Sequence, residues 1–264
     1  GSNLYSVNLE NADLTNANLQ NADLTNANLQ NADLTNANIF GVDFSKTVID
    51  GVDLSQGVQI ENIKNVEKLN LEILHKYSNL SDFDFSNQDI SNRDISESKL
   101  NNIDFSNSNF FNNKMAHVDF QGSDLSYTDL RNTELISSDL SRVNLIGADL
   151  SGANLSGADL SGANLSGADL SDTILYGADL TGTYLENANF SRAELKGASF
   201  DGAHIHKTNL GDVELEGISF KGAHMEGYDF SGKNLIGANF HNAILQHANF
   251  QDADLTNANL DFAF

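Results

Sequence analysis

The chain has 264 residues, 37 of them acidic and 14 basic, for a formal net charge of −23. Such a balance opposes direct binding to nucleic acid or to an anionic membrane surface, since both need basic side chains against phosphate. There is no Cys, which excludes disulfides, thiol nucleophiles and thiolate metal sites.

The first element, residues 1–54, is a repeat of five. Residues 11–30 read NADLTNANLQ twice over, and apolar centres fall at Leu4, Leu9, Leu14 and so on through Ile39, Phe44, Ile49 and Leu54. A helix needs a period of 3.6 and a strand a period of 2, so neither alone buries every fifth residue. The other places have their own chemistry. The residue two before the centre is small, mostly Ala, and the residue one before is Asp or Asn. Ser or Thr commonly follows the centre, and then comes Gly or Asn, which tolerate positive φ at a tight turn. Centre and small residue lie two apart, so in an extended piece they share a side, and Asp/Asn faces the other way. Each pentapeptide is therefore expected to be a very short extended piece closed by a turn. The opening Gly-Ser reads as an expression remnant and the repeat is in register from Leu4, so the chain is expected to be cut from a longer one.

The second element, 55–79, breaks the repeat. Val66, Leu69, Ile73 and Tyr77 recur at helical spacing, Asn65 suits a cap and Glu67 the first turn, which predicts a short amphipathic helix over roughly 65–77. It is expected to cover an end or side of the repeat, with recognition of a partner as the other reading. The third element, 80–264, resumes at Leu80 one residue out of phase and runs through 37 centres to Leu260 without a miss. All 48 centres of the two blocks are Leu, Ile, Phe or Met. No apolar run approaches the roughly 18 residues of a membrane span. Within this block Phe83, Gln88, Arg93, Ser98, Ile103, Ser108 and Asn113 replace Ala at successive small positions, and Lys233 does so later in the same column as Arg93. A charge is not buried unpaired, so Arg93 and Lys233 are expected to snorkel at a corner or meet an Asp. The chain closes on NLDFAF, with Phe262 and Phe264 beyond the last regular centre.

The repeat resembles the pentapeptide-repeat family, whose motif is A(D/N)LXX, over roughly nine-tenths of the chain. The resemblance implies an all-β fold, a right-handed quadrilateral β-helix in which four pentapeptides form the sides of a square coil of twenty residues, here with a short α-helical insert. Centres would fill the bore and Ala would sit beside them. The domains are then 1–54, an N-terminal repeat block; 55–79, a helix-containing insert or cap; and 80–264, the main β-helix. Residues 1–54 are expected to continue the same rod. Phe262 and Phe264 either plug their own bore or form an end-to-end homodimer face, as known for some family members.

Chemistry is sparse in this pattern. The carboxylates lie one before each centre, on outer walls, where no cleft gathers them for acid–base work. An enzyme is not expected, nor a catalytic residue, metal or cofactor. A step of twenty stacks Tyr184, His204, His224 and Ile244 in one outer column; the spacing would suit a metal, but further ligands are missing, so surface histidines are expected. Outward apolar residues include Phe111, Ile136, Ile146, Ile174 and Tyr176, of which Ile174 and Tyr176 together mark a contact spot.

Function is thus expected to be that of a non-enzymatic scaffold presenting ladder-like faces to a protein partner, in the cytoplasm, a secreted or lumenal place staying open. The resemblance implies an alternative, mimicry of duplex DNA toward a type II topoisomerase such as DNA gyrase. Twelve coils at the usual strand spacing would span roughly 58 Å, or about one acidic residue per 1.6 Å against one phosphate per about 1.7 Å of DNA. The motif itself asks for Asp or Asn, so the acidity is equally a by-product of folding. A secreted bacterial effector is the further alternative.

Overall fold

The computed structural model describes residues 1–42, 44, 46–48, 52 and 85–264. The helix expected over 65–77 and the change of phase before Leu80 lie outside them. The chain divides into two compact units, Gly1–Asp82 and Phe83–Phe264, and in each the described residues form a parallel β-helix.

One turn geometry, repeated, builds both units. The C=O of a centre accepts the N–H of the residue three on, as from Ala153 to Leu150 at 2.9 Å and from Ala27 to Leu24 at 2.8 Å. The third residue of each turn has positive φ, as a type II turn requires, and Gly or Asn supplies it most often. Among the described residues Asp212 alone departs from this. The outward Asp or Asn braces the same turn, its Oδ1 accepting the N–H two residues on, as Asp149 does from Ser151 at 3.0 Å. The Asp/Asn preference is thus written by the turn, since a short side-chain oxygen can stand in for backbone there.

Four turns bring the chain round. Parallel bridges link residues twenty apart, from Asn3↔Asp23 in the N-terminal unit and from Asp89↔Asn109 to Asn239↔Asn259 in the C-terminal unit. An ordinary wall carries three bonds between neighbouring coils. For example, Leu155 and Gly157 donate to Ile174 and Tyr176, and Ile174 donates to Ala153. The short walls leave only one bridged residue each, yet on an ordinary wall the backbone accounting closes.

Inside run the centres. Every described centre from Phe85 to Phe240 is buried, as are Leu19 to Phe44 in the N-terminal unit. Phe200, Phe220 and Phe240 stack in one column, the last two at 5.3 Å and 15°. Leu4, Leu9 and Leu14 are half-buried in the first N-terminal coil, and Leu245 to Leu255 in the last coil.

Two serines at small positions close a turn of the neighbouring coil. Ser123 Oγ donates to Leu100 C=O at 2.6 Å and accepts from Ile103 N–H at 3.0 Å, so the hydroxyl sits inside a turn of the neighbouring coil and replaces its internal bond. Ser108 does the same between Phe85 and Gln88. A hydroxyl can do this because it donates and accepts at once. Asn113 Oδ1 accepts the Arg93 N–H at 2.7 Å in the equivalent place.

Candidate functional site

The C-terminal unit departs from its own pattern in three places. The first is the column Tyr184–His204–His224–Ile244, bridged residue to residue through the stack. Upstream the same column holds Asp124, Asn144 and Asn164. Because coils repeat at about the 4.8 Å of paired strands, flat rings one above another fall into contact. Tyr184 and His204 stack at 4.7 Å and 12°, His204 and His224 at 4.4 Å and 21°. Tyr184 is 50% exposed and the two imidazoles are half-buried. Partial burial holds the His204 pKa below its ordinary value, the His224 ring adds to that, and Glu226 pulls the other way. No group of three or more His, Asp or Glu among the described residues could hold a metal.

A depressed histidine pKa fixes a sign. Between the folded and unfolded values the unfolded chain binds more protons, so stability rises with pH there. The neutral stack contributes above about pH 6.5, the ordinary histidine value, and is lost on acidification through the folded pKa. Urea midpoints between pH 8 and 5 should therefore fall more steeply for the native chain than for His204→Gln. Parallel profiles would exclude a role for the ring's proton.

The second departure is a cleft. It measures about 640 Å³ and is lined by Tyr176, by residues 192–196 and by Asp212, Glu214 and Glu216. Its cause lies on the next coil, where Tyr228 and Lys233 occupy small positions. Lys233 reaches the turn that starts at Leu210, as Ser123 reaches the one at Leu100, and Nζ donates to the carbonyls of Gly211 and Leu210. An ammonium only donates, so it cannot take the Val213 N–H as Ser123 takes that of Ile103. The turn loses its internal bond, and Asp212 loses its positive φ. Beside it the Tyr228 hydroxyl donates to Thr208 C=O at 3.0 Å and accepts from Leu210 N–H at 3.3 Å. Burial pushes that phenol up to about 12.

The expectation that no cleft gathers the outer carboxylates is thus corrected at this point, since Glu194, Asp212, Glu214 and Glu216 line one, and Lys233 meets backbone carbonyls instead of an Asp. Tyr176, 45% exposed, lines the cleft, whereas Ile174 sits half-exposed in the bridged column above Glu194. Of the other outward apolar residues, Phe111 lies under the Arg131 guanidinium at 5.5 Å. Arg131 in turn donates to Asp129 at 2.6 and 2.8 Å.

The third departure is the C-terminus. Phe262 and Phe264 are 73% and 70% exposed, so neither plugs the bore. Phe262 meets His241 edge-on at 5.5 Å, and Phe264 pairs by backbone with Ala243 and Leu245.

Comparison with known sequences decides the family. The model of pentapeptide repeats matches residues 2–39, 17–56, 94–126, 114–152 and 138–177, and that of the pentapeptide repeat region matches 184–260. The chain belongs to the pentapeptide-repeat family. Among solved structures, this pentapeptide-repeat chain is similar to HetL of Nostoc sp. strain PCC 7120, a family member involved in heterocyst differentiation regulation. Identity is 25% over 96% of this chain and 89% of that one, with a TM-score of 0.25. It is also similar to Rfr23 of the cyanobacterium Cyanothece 51142, at 24% identity over 45% and 88% of the chains and a TM-score of 0.31. A third is QnrB1, a plasmid-mediated fluoroquinolone resistance protein, at 15% over 92% and 86% with a TM-score of 0.32. No curated protein matches.

The pentapeptide motif hides its own exceptions. The cleft had a signal, Tyr228 and Lys233 at places built for Ala, but its consequence depends on which partner each side chain finds on the neighbouring coil.

Proposed function

We propose that this pentapeptide-repeat protein is a non-enzymatic scaffold that binds a protein partner. The observation that carries this reading is the stacked strip of Tyr184, His204 and His224. Each ring is held by its neighbours, so a partner meets an aromatic surface that loses little side-chain entropy on contact. It replaces Asp and Asn in a chain of net charge −23, and the turn gains nothing from the exchange. In keeping with the family, the coil is right-handed and square in section. Residues 1–54 and 80–264 are the two repeat blocks, with 55–79 as a helical insert or cap. Phe262 and Phe264 offer a homodimer face, Ile174 and Tyr176 a second contact spot, and the working compartment is the cytoplasm.

One observation favours a second reading, mimicry of DNA toward a type II topoisomerase such as DNA gyrase. Asp119, Asp139, Asp159 and Asp179 follow one another up a single wall. Other columns are relieved: Asn144 donates to Asp124 at 3.1 Å, and in the column of Asp129, Asp149 and Asp169 Arg131 pairs with the first two and Asn189 donates to the third at 3.0 Å. Here no Asn intervenes, and no ion pair among the described residues neutralises the row. A secreted bacterial effector remains a variant of the scaffold reading.

Supercoiling by gyrase in the presence of the purified chain separates the two. Inhibition at micromolar protein, relieved by Asp139→Asn with Asp159→Asn, supports mimicry. No inhibition, together with capture of a partner that Tyr184→Ala with His204→Ala abolishes, supports the scaffold.

A further inference from the structure

We propose that the cleft between residues 192–196 and 212–216 receives an extended basic segment of a partner protein, which enters as an added parallel strand. This rests on the scaffold reading only in taking the partner to be a protein; the surface is separate from the aromatic strip.

The backbone states what is missing. At this wall all three inter-coil bonds are absent. Leu195 and Gly197 N–H do not reach the carbonyls of Glu214 and Glu216, and Glu214 N–H does not reach Ala193 C=O. The upper strand is otherwise intact, since Leu175 and Gly177 still donate to Glu194 and Lys196 at 2.8 and 3.0 Å. One edge therefore presents two N–H groups and a C=O, whereas 212–216 is loose on both sides, since Leu215 N–H does not reach Asn234 C=O either. A parallel strand added along the upper edge satisfies its two N–H groups and its C=O with its own carbonyls and amides. Unpaired edges of this kind are where extended peptides add. The volume, about 640 Å³, lies in the range of ligand clefts, roughly 300–1,000 Å³.

Register then dictates the side chains. The outward residue of an added strand falls in the column of Glu194 and Glu214, between two carboxylates, which selects Lys or Arg there. Asp212 and Glu216 extend the acidic rim. The opposing cations are Lys196 and Arg192, and the Arg192 guanidinium is held by Asp172 at 2.6 Å. Inward neighbours lie beside Ala193 and Leu195, both buried, so they must be small or apolar. The recognised segment alternates apolar and basic residues.

Amide hydrogen exchange tests the opening itself. Leu195, Gly197 and Glu214 should exchange at least tenfold faster than Leu175 and Gly177 one coil away; equal protection overturns the proposal. Binding is read by fluorescence anisotropy of an end-blocked octapeptide of alternating Val and Lys. It should bind at least tenfold more tightly than the same residues in block order, and protect the three amides. Glu194→Gln with Glu214→Gln should weaken it at least tenfold, whereas Asp139→Asn with Asp159→Asn, an equal loss of charge on another wall, should not. Equal weakening by both pairs means attraction to net charge only and overturns the proposal. So does undiminished binding of a backbone N-methylated peptide, which would mark a cationic ligand that pairs with no strand. Tyr228→Ala with Lys233→Ala should restore slow exchange and abolish binding while the circular dichroism holds. Loss of slot binding with the Tyr184–His204 contact retained leaves the scaffold reading standing.

Discussion

Leu160→Ala should lower the unfolding free energy by about 2–5 kcal/mol, the range for a buried leucine cut to alanine, and should do so far more than Leu255→Ala. Leu160 is fully buried in the bore. Its wall is bonded on both sides, Leu160 donating to Asp179 at 2.8 Å and Asp159 to Ser138 at 2.9 Å. Those ladders hold the coils apart, so the wall cannot sink into the space the side chain leaves, and the cavity adds fully to the transfer loss. In a stack, moreover, each coil is stabilised only through its neighbours, so a weak coil in the middle loosens two interfaces where one at an end loosens one. Leu255 lies half-buried in the last coil. Urea titration of both variants checks this. Equal losses would mean that the unit does not behave as a chain of nearest neighbours.

The fold was legible because one constraint is repeated without relief. A centre every fifth residue, a small residue two before it and a positive-φ residue two after it each follow from burial, space and turn geometry, so Leu160, Ala158 and Gly162 predict one another. The acidic surface was legible in its places but not in its meaning. Asp149 is there to brace a turn, and only the stacking shows that Asp119 to Asp179 form an unbroken row while Asp169 is relieved by Asn189. The aromatic strip followed from a step of twenty. The cleft did not, because its origin is a contrast between side chains in equivalent places. Ser123 both gives and takes a hydrogen bond and keeps the neighbouring turn closed; Lys233 can only give, and the turn at Leu210 opens. Sequence marks Lys233 as unusual, but the direction of the response needs the carbonyls of Leu210 and Gly211 in view.

Gly167→Val should cost about 1–3 kcal/mol, the usual range for a residue held in a sparsely populated backbone region, whereas Gly167→Asn should be close to neutral. Gly167 has a φ of +70°, and an added Cβ would meet nothing within 4 Å. Crowding is thereby removed from the comparison, and backbone conformation remains. A β-branched side chain is a genuine outlier at positive φ, while Asn visits that region readily and does so at Asn132, Asn187 and Asn242 in equivalent turns. The turn cannot escape by flipping, because Gly167 N–H is committed to Glu186 C=O at 2.8 Å and Ala168 N–H to Leu165 C=O at 3.0 Å. Gly147 separates the second effect: its φ is +63°, but a Cβ would lie 2.7 Å from the exposed Tyr127 ring, so Gly147→Asn must displace that ring and should cost more than Gly167→Asn. Chemical denaturation of the three variants decides it. A Gly167→Val protein as stable as Gly167→Asn would show that the turn can take another shape, and the opened turn at Asp212 would then need no special cause.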